Sequence, residues 1–158
     1  MQIDVRHASH PEAVRDFDTE TLRRHFLVET VFASGEIRLT YSHYDRMVIG
    51  GATPLGSGLT LTAPTAIGQE TFLAERELGA LNIGGAGRII VDGTNYDLAK
   101  YDCLYVGKGA KDVSFESADA ANPAKFYLVS TPAHQAHPTV LLTREKARHL
   151  TPGEAATA

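Results

Sequence analysis

The sequence predicts an all-β protein, a jelly-roll or related small barrel with short flanking helices. Three short apolar runs, Ala80–Ile83, Arg88–Val91 and Cys103–Val106, are separated by glycine-rich turns. Asp92-Gly93 follows the second run directly, and Asp-Gly is a strong hairpin signal because glycine accepts a positive φ without steric cost. Many short strands joined by glycine turns favour such a barrel over a parallel α/β sheet.

The amino-terminal third is predicted to hold a helical arm and the first strands. His10–Phe26 contains short amphipathic turns, and Asp18 or Thr19 is a suitable helix cap. We expect this arm to cover one end of the barrel. Phe26–Phe32 is predicted to be the first strand, and Glu36–Ile49 the next.

The remainder of the chain alternates loops with short strands. Gly50–Gly58 is predicted to be a loop from its glycine and proline content. Three further strands are expected at Leu59–Ala63, Val113–Phe115 and Phe126–Val129. Thr131–Thr139 is predicted to be an extended, proline-bounded exit segment.

Composition limits the class of protein. The 158 residues are 43% hydrophobic, enough for one domain with one core, and the net charge of -4 argues against nucleic acid or an anionic membrane as the main partner. A single cysteine, Cys103, excludes an internal disulfide and suits a reducing compartment. Met1–His10 lacks the pattern of a signal peptide, and no run has the length of a membrane span. We therefore expect a cytoplasmic protein.

The alternation within Glu36–Ile49 suggests polar groups inside the barrel. If Ile37 and Leu39 face inward, period two places four more side chains on that side: Tyr41, His43, Asp45 and Met47. The alternative is that the strand bends near Asp45, so that these groups reach solvent or a subunit contact. The pattern alone leaves both interpretations open.

Two glycine-rich segments invite comparison with phosphate-binding loops. Gly84-Gly85-Ala86-Gly87 is followed by β-branched residues and a hairpin rather than a helix, so tight turns explain it better. Gly107–Lys111 lacks the Ser/Thr that would bind magnesium. Its lysines, Lys108 and Lys111, either contact a carboxylate substrate or belong to an ordinary solvated turn.

Metal and thiol chemistry have weak support in the sequence. His134-x-x-His137 has a metal-compatible spacing, but the segment is extended and no third ligand of suitable type is near. Cys103 follows Asp102, which would not lower its pKa, so a structural thiol is expected.

A longer set of motifs resembles a known family. The segments that carry the resemblance are Tyr41–Arg46 (YSHYDR), Gly50-Gly51, Phe72–Gly79, Asn82–Gly87, Val91-Asp92-Gly93, Leu104–Lys111, Pro123–Tyr127 and Pro132–His134. Together they closely resemble the 5-keto-4-deoxyuronate isomerases, also called 4-deoxy-L-threo-5-hexosulose-uronate ketol-isomerases. The match runs from about Leu22 to Thr139.

The resemblance implies a bicupin, with two jelly-roll barrels in one chain, assembled as a homo-oligomer. It implies a zinc-dependent aldose–ketose isomerisation of a uronate in pectin breakdown, with zinc held by three histidines and a glutamate in the C-terminal cupin. Residues 1–142 would then form the N-terminal cupin-like barrel with its helical arm. Residues 143–158 would form a linker or tail toward the second barrel, beginning with a helical turn at Thr143–His149.

This barrel departs from the usual cupin pattern, so no metal ligand is transferred to it. The paired histidines expected around Glu75–Glu77 are missing, and the histidine expected within Lys108–Asp112 is replaced. The residues predicted to contact substrate or a subunit interface are Tyr41, His43, Asp45, Arg46, Arg76, Glu77, Lys108 and Lys111.

Three functions remain open from the sequence. The first is the uronate ketol-isomerase, of which this chain is the N-terminal, metal-free half. The second is a non-catalytic cupin module for oligomerisation or acidic-sugar binding. The third is a relative of 5-deoxyglucuronate isomerase.

Overall fold

A computed structural model describes residues 1–148 and 150 of the chain. It confirms the predicted all-β class, with eleven strands and two short α-helices in the described residues. The elements are β1 (Gln2–Arg6), α1 (Pro11–Val14), α2 (Thr19–Phe26), β2 (Ile37–Ser42), β3 (Met47–Ala52), β4 (Leu59–Thr60), β5 (Arg76–Asn82), β6 (Gly87–Val91), β7 (Thr94–Leu98), β8 (Cys103–Val106), β9 (Val113–Ser117), β10 (Phe126–Pro132) and β11 (Val140–Leu142). Two 3₁₀ turns lie at Thr65–Ile67 and Arg144–Lys146.

The strands form two sheets that enclose one core. One sheet has seven strands in the order β1-β2-β3-β10-β5-β8-β11, and the other has four in the order β4-β9-β6-β7. All pairs are antiparallel except β1 with β2. Phe115 of β9 and Phe126 of β10 are fully buried, with ring centroids 5.4 Å apart. This aromatic pair joins the inner faces of the two sheets.

The predicted hairpin at Asp92-Gly93 is confirmed. Val91 of β6 pairs with Thr94 of β7, so the loop has two residues. Asp92 and Gly93 have φ values of 47° and 81°, the left-handed conformations that a type I′ hairpin requires. The Asp92 carboxylate also accepts from the backbone N–H of Lys111 and Asp112, both at 2.9 Å, and so attaches the hairpin to the chain entering β9.

The prediction for the first strand was wrong. Residues 27–32 pair with no strand in the described part of the chain, and β1 lies instead at the amino terminus, where it pairs in parallel with β2. The two paired segments are 36 residues apart, from Gln2 to Arg38, and no local pattern reports such a pairing. Phe32 instead lies against Gly51 of β3.

The region Glu36–Ile49 is not one strand, as predicted, but two. β2 ends at Ser42, a turn occupies residues 43–46, and β3 begins at Met47. β3 continues through Ala52, so the predicted Gly50–Gly58 loop is three residues shorter at its start. Within the strand, Gly50 and Gly51 leave room for close neighbours: a Cβ would lie 2.2 Å from the Arg38 carbonyl oxygen at position 50 and 2.7 Å from the Phe32 ring at position 51.

The predicted helices are present. Asp18 is the cap of α2 and accepts from the Thr21 N–H at 2.8 Å, and the Thr21 hydrogen bonds lower the pKa of its carboxyl. Neither helix buries a residue, and none in the described part of the chain is long and apolar enough to cross a membrane.

The carboxy-terminal predictions are met in part. β4 covers only the start of the predicted Leu59–Ala63 strand, and β11 follows the exit segment as a strand that the sequence did not predict. A helical turn forms at Arg144–Lys146, within the predicted Thr143–His149. His149 and residues 151–158, most of the predicted tail, lie outside the described residues.

The fully buried side chain of Asn82 connects three segments of the chain. Its amide donates to the carbonyls of Gly85, Leu98 and Ala99 at 2.8, 3.1 and 3.3 Å. Its Oδ1 accepts from Gly84 and Lys125 at 3.1 and 3.3 Å. The turn after β5, the end of β7 and the start of β10 are therefore held by one side chain.

Asn82→Asp removes these donors without changing the size of the side chain. Three buried carbonyls then lose a partner, so we expect the free energy of unfolding to fall by about 3 kcal/mol or more. Urea denaturation followed by circular dichroism measures the change. Asn95→Asp, at an exposed position of β7, is the matched control and should change stability by less than about 0.5 kcal/mol. Equal losses in the two variants would contradict the role given to Asn82.

Candidate functional site

A row of inward-facing residues closes one end of the seven-stranded sheet. Tyr41 of β2 pairs with Val48 of β3, Val48 with Ser130 of β10, and Ser130 with Leu78 of β5. All four are buried. Arg76 is the next inward residue of β5 beyond Leu78, so its side chain lies across the end of this row.

Arg76 is attached to the strand ends by three hydrogen bonds. Its Nε donates to the Ser130 hydroxyl at 3.1 Å, and its Nη2 donates to the Ser130 carbonyl at 2.9 Å and to the Arg46 carbonyl at 2.6 Å. The guanidinium carbon is 5.9 Å from the centroid of the Tyr41 ring, within the range of a cation–π contact. Arg76 therefore connects β10, β5 and the turn between β2 and β3.

The charge of Arg76 has no acidic partner among the described residues. Arg76 is only 4% exposed, yet none of the six ion pairs in the described part of the chain includes it. Burial is the main cause of the lowered pKa of the guanidinium; Tyr41 opposes this shift, and the positive charge of Arg46 adds to it. Since arginine stays protonated in proteins, a buried positive charge remains without compensation.

His43 lies outside the barrel interior, beside Tyr41. β2 has ended at Ser42, so the imidazole is exposed, as the bent-strand interpretation predicts, whereas Tyr41 is buried, as the inward-facing interpretation predicts. Its ring stacks on His7 with a centroid distance of 4.5 Å and an interplanar angle of 16°, and it lies 5.0 Å from the Tyr41 ring. The His43 backbone N–H donates to the Arg6 carbonyl at 2.8 Å, which places β1 beside this turn.

Asp45 and Arg46 form the tip of the turn. Both are exposed and have positive φ, 55° and 53°, which is unusual for residues with a Cβ. The Arg76 bond to the Arg46 carbonyl helps to hold this conformation. The structure thus brings Tyr41, His43 and Arg76 together through their rings and guanidinium, and Arg46 through its carbonyl.

Glu77, Lys108 and Lys111, three further predicted site residues, lie apart from this cluster. Glu77 points to the outer face of β5 and accepts from the Tyr105 hydroxyl at 2.8 Å. Lys108 forms an ion pair with Glu75 on the surface. Lys111 is exposed next to the Asp92 hairpin.

A polar cleft of about 580 Å³ lies between β1 and α2. Arg6, Arg23 and Arg24 line it, but Arg6 pairs with Asp4 at 2.9 Å and Arg23 pairs with Glu29. Its positive charges are largely compensated, so the Arg76 cluster is the stronger candidate for binding an anion.

Two residues that contact this cluster, His7 and Ser130, were not predicted. His7 was missed because β1 was not recognised. Ser130 follows Phe126 and Leu128 in the same alternation, so extending the predicted strand by one residue would have found it.

The described residues do not fit a zinc site. No group of three or more His, Cys, Asp or Glu side chains in the described part of the chain is placed to hold a metal ion. His7 and His43 are stacked face to face, and neither has a further ligand of that kind beside it. No chemical step through a metal is therefore assigned to these residues.

Cys103 lies in β8 and is partly buried. Burial raises the pKa of its thiol, while a hydrogen bond with the Ala80 backbone opposes the shift. A raised pKa reduces the thiolate fraction, in agreement with the structural role that the sequence predicts.

We expect Cys103 to react with iodoacetamide more slowly in the folded protein than in the urea-unfolded chain at pH 8. The reason is that both the thiolate fraction and the access of the reagent are lower in the fold. The folded-state rate should continue to rise at pH values where the unfolded thiol is already fully ionised. Mass spectrometry of the alkylated chain measures both rates, and equal rates would contradict the assignment.

Comparison with known proteins places the chain in a family. The model of the KduI/IolB family matches residues 26–158. The chain belongs to the KduI/IolB family. It is 50% identical over 145 residues to a 4-deoxy-L-threo-5-hexosulose-uronate ketol-isomerase of Halalkalibacterium halodurans, covering 92% of this chain and 52% of that protein. The same enzyme of Formosa agariphila is 47% identical, covering 98% and 55%, and that of Yersinia pestis is 45% identical, covering 98% and 56%.

The predicted resemblance to these isomerases is confirmed. The chain spans about half the length of these curated relatives. The fold is cupin-like, as predicted.

Two solved structures are also similar. Clostridium difficile EutQ is 18% identical, covering 56% of this chain and 53% of that one. A Bacteroides fragilis cupin protein is 19% identical, covering 58% and 69%. Both TM-scores are 0.38, too low for either structure to inform the site.

Proposed function

We propose that this chain supplies the N-terminal barrel of a 4-deoxy-L-threo-5-hexosulose-uronate ketol-isomerase. The observation that carries the proposal is the identity of 45–50% to three such enzymes over at least 92% of the chain. Similarity of this extent includes the core strands and the turns between them, not a short motif alone.

The reaction moves a proton between adjacent carbons of a uronate through an enediolate. Such chemistry needs a base for the proton and positive charge for the developing oxyanion. In the described residues, Glu77 is engaged by Tyr105 on the outer face, and no metal-binding group of three ligands is present. We therefore assign neither the base nor the zinc to this barrel, and propose that zinc, where the enzyme uses it, is held in a second cupin barrel.

The remaining parts of the proposal follow from the family. The substrate is a small uronate from pectin breakdown, the protein acts in the cytoplasm, and the enzyme is a homo-oligomeric bicupin. Residues 1–142 form the first barrel with its helical arm, and residues 143–158 lead toward the second. The contribution of this barrel is to support the second barrel and to contact acidic sugar.

A second candidate is a non-catalytic cupin module for oligomerisation or acidic-sugar binding. It is favoured by the absence of a metal-binding cluster from the described residues. A 5-deoxyglucuronate isomerase is the third candidate, and it differs from the first only in substrate. Turnover of the two uronates distinguishes these isomerases.

The test is a chimera in which this chain replaces the matching half of the Halalkalibacterium halodurans relative. We expect turnover of 5-keto-4-deoxyuronate that is abolished by a chelator and restored by zinc. The 158-residue chain alone should give no turnover and bind no stoichiometric zinc, since its described residues lack a suitable ligand set. An enzyme assay and metal analysis measure these outcomes.

The unmodified relative is the control for expression, assembly and metal content. A folded, zinc-loaded chimera without activity on this substrate would contradict the proposal. Activity on 5-deoxyglucuronate alone would favour the third candidate. Zinc-dependent turnover by the 158-residue chain alone would show that the metal had been assigned to the wrong barrel.

A further inference from the structure

One nitrogen of the Arg76 guanidinium has no hydrogen-bond partner among the described residues. Its three hydrogen bonds use Nε and Nη2, and Nη1 donates to no other described residue. In the described part of the chain, Thr53 Oγ1 is the only fully buried side-chain polar atom without a partner. Nη1 is therefore not completely buried, although Arg76 as a whole is only 4% exposed.

The Tyr41 hydroxyl is the second open donor at this place. Tyr41 is 8% exposed, its ring lies beneath the guanidinium, and its hydroxyl makes no hydrogen bond to another described residue. Since Thr53 Oγ1 is the only completely buried side-chain polar atom without a partner in the described part of the chain, the unpartnered Tyr41 hydroxyl is not completely buried. Two donors from adjacent side chains thus remain available at the barrel end.

The charges around these donors favour an anion. Arg46 is close enough to lower the pKa of Arg76, and no described carboxylate lies within 4 Å of the guanidinium nitrogens. His7 and His43 add two stacked aromatic rings next to Tyr41. An anion here would compensate a buried positive charge that the chain itself leaves unpaired.

We propose that Arg76 Nη1 and the Tyr41 hydroxyl form a binding site for the carboxylate of a small sugar acid. A guanidinium has the planar donor geometry that suits a carboxylate, and the negative charge of the carboxylate would compensate the buried positive charge of Arg76. The stacked His43 and His7 rings offer an apolar face beside the carboxylate for the sugar. The choice of a sugar acid rests on the function proposed above, whereas the requirement for an anion rests on the geometry of Arg76.

The test uses D-galacturonate as the probe and D-galactose as its neutral counterpart, titrated into the 158-residue chain by calorimetry. We expect saturable binding of galacturonate and none of galactose at the same concentrations. The side-chain Nε–H resonance of Arg76 should shift with galacturonate. Equal binding of both sugars, or of neither, would overturn the proposal.

Two variants locate the site. Tyr41→Phe removes only the hydroxyl and keeps the ring, so affinity should fall roughly three- to tenfold. Arg76→Lys keeps the charge but loses the planar donors, and we expect an affinity about tenfold lower. Arg88→Lys, at an ion pair on the four-stranded sheet, is the matched control and should bind as the parent protein does.

Folding and function are kept separate in this experiment. Thermal unfolding checks each variant, and if Arg76→Lys does not fold, Tyr41→Phe still decides the question. Parent-like affinity in Tyr41→Phe and Arg76→Lys would overturn the site. Because binding is measured without turnover, an inactive chimera with intact galacturonate binding would contradict only the isomerase assignment. An active chimera whose parent chain binds no galacturonate would contradict only the site.

Discussion

The described barrel depends on the hydrogen bonds of the buried Asn82 side chain, which hold three segments of the chain together. An amide presents donors and acceptors on one small group, so Asn82 binds three carbonyls and two N–H groups in the buried core. The turn it holds is tight: a Cβ at Gly85 would lie 2.0 Å from the Asn122 carbonyl oxygen. Only a residue without a side chain fits, so the glycine-rich segment serves packing rather than phosphate binding.

The opposite end of β5 has a different character. Arg76 occupies an inward position that the alternation with Leu78 and Ala80 would assign to an apolar residue. Its hydrogen bonds to Ser130 and to the Arg46 carbonyl satisfy part of the guanidinium, but its charge is not neutralised by a described residue. At one end of β5 the Asn82 amide has all its hydrogen bonds, whereas at the other end the positive charge of Arg76 has no acidic partner among the described residues. The candidate site therefore lies at the Arg76 end.

Much of the fold was predictable because it depends on local signals. The hairpin at Asp92-Gly93, the Asp18 cap and the strands around Ala80–Ile83 and Cys103–Val106 were predicted from turn chemistry and alternation. The site was predicted less well. Tyr41, His43 and Arg76 were named and do lie together, whereas Glu77, Lys108 and Lys111 lie elsewhere. Period two gives the face of a residue only while its strand continues, and β2 ended before His43.

The sequence by itself determined the all-β class, the tight turns and the family, because these depend on residues close together in the chain or on a long run of identities. Tertiary structure alone decided that β1 pairs with β2 and that His7 meets His43. It also decided that Arg76 reaches Ser130, 54 residues later in the chain. Such contacts arise when distant strands bury their apolar faces together, and local patterns carry no record of which strands will become neighbours.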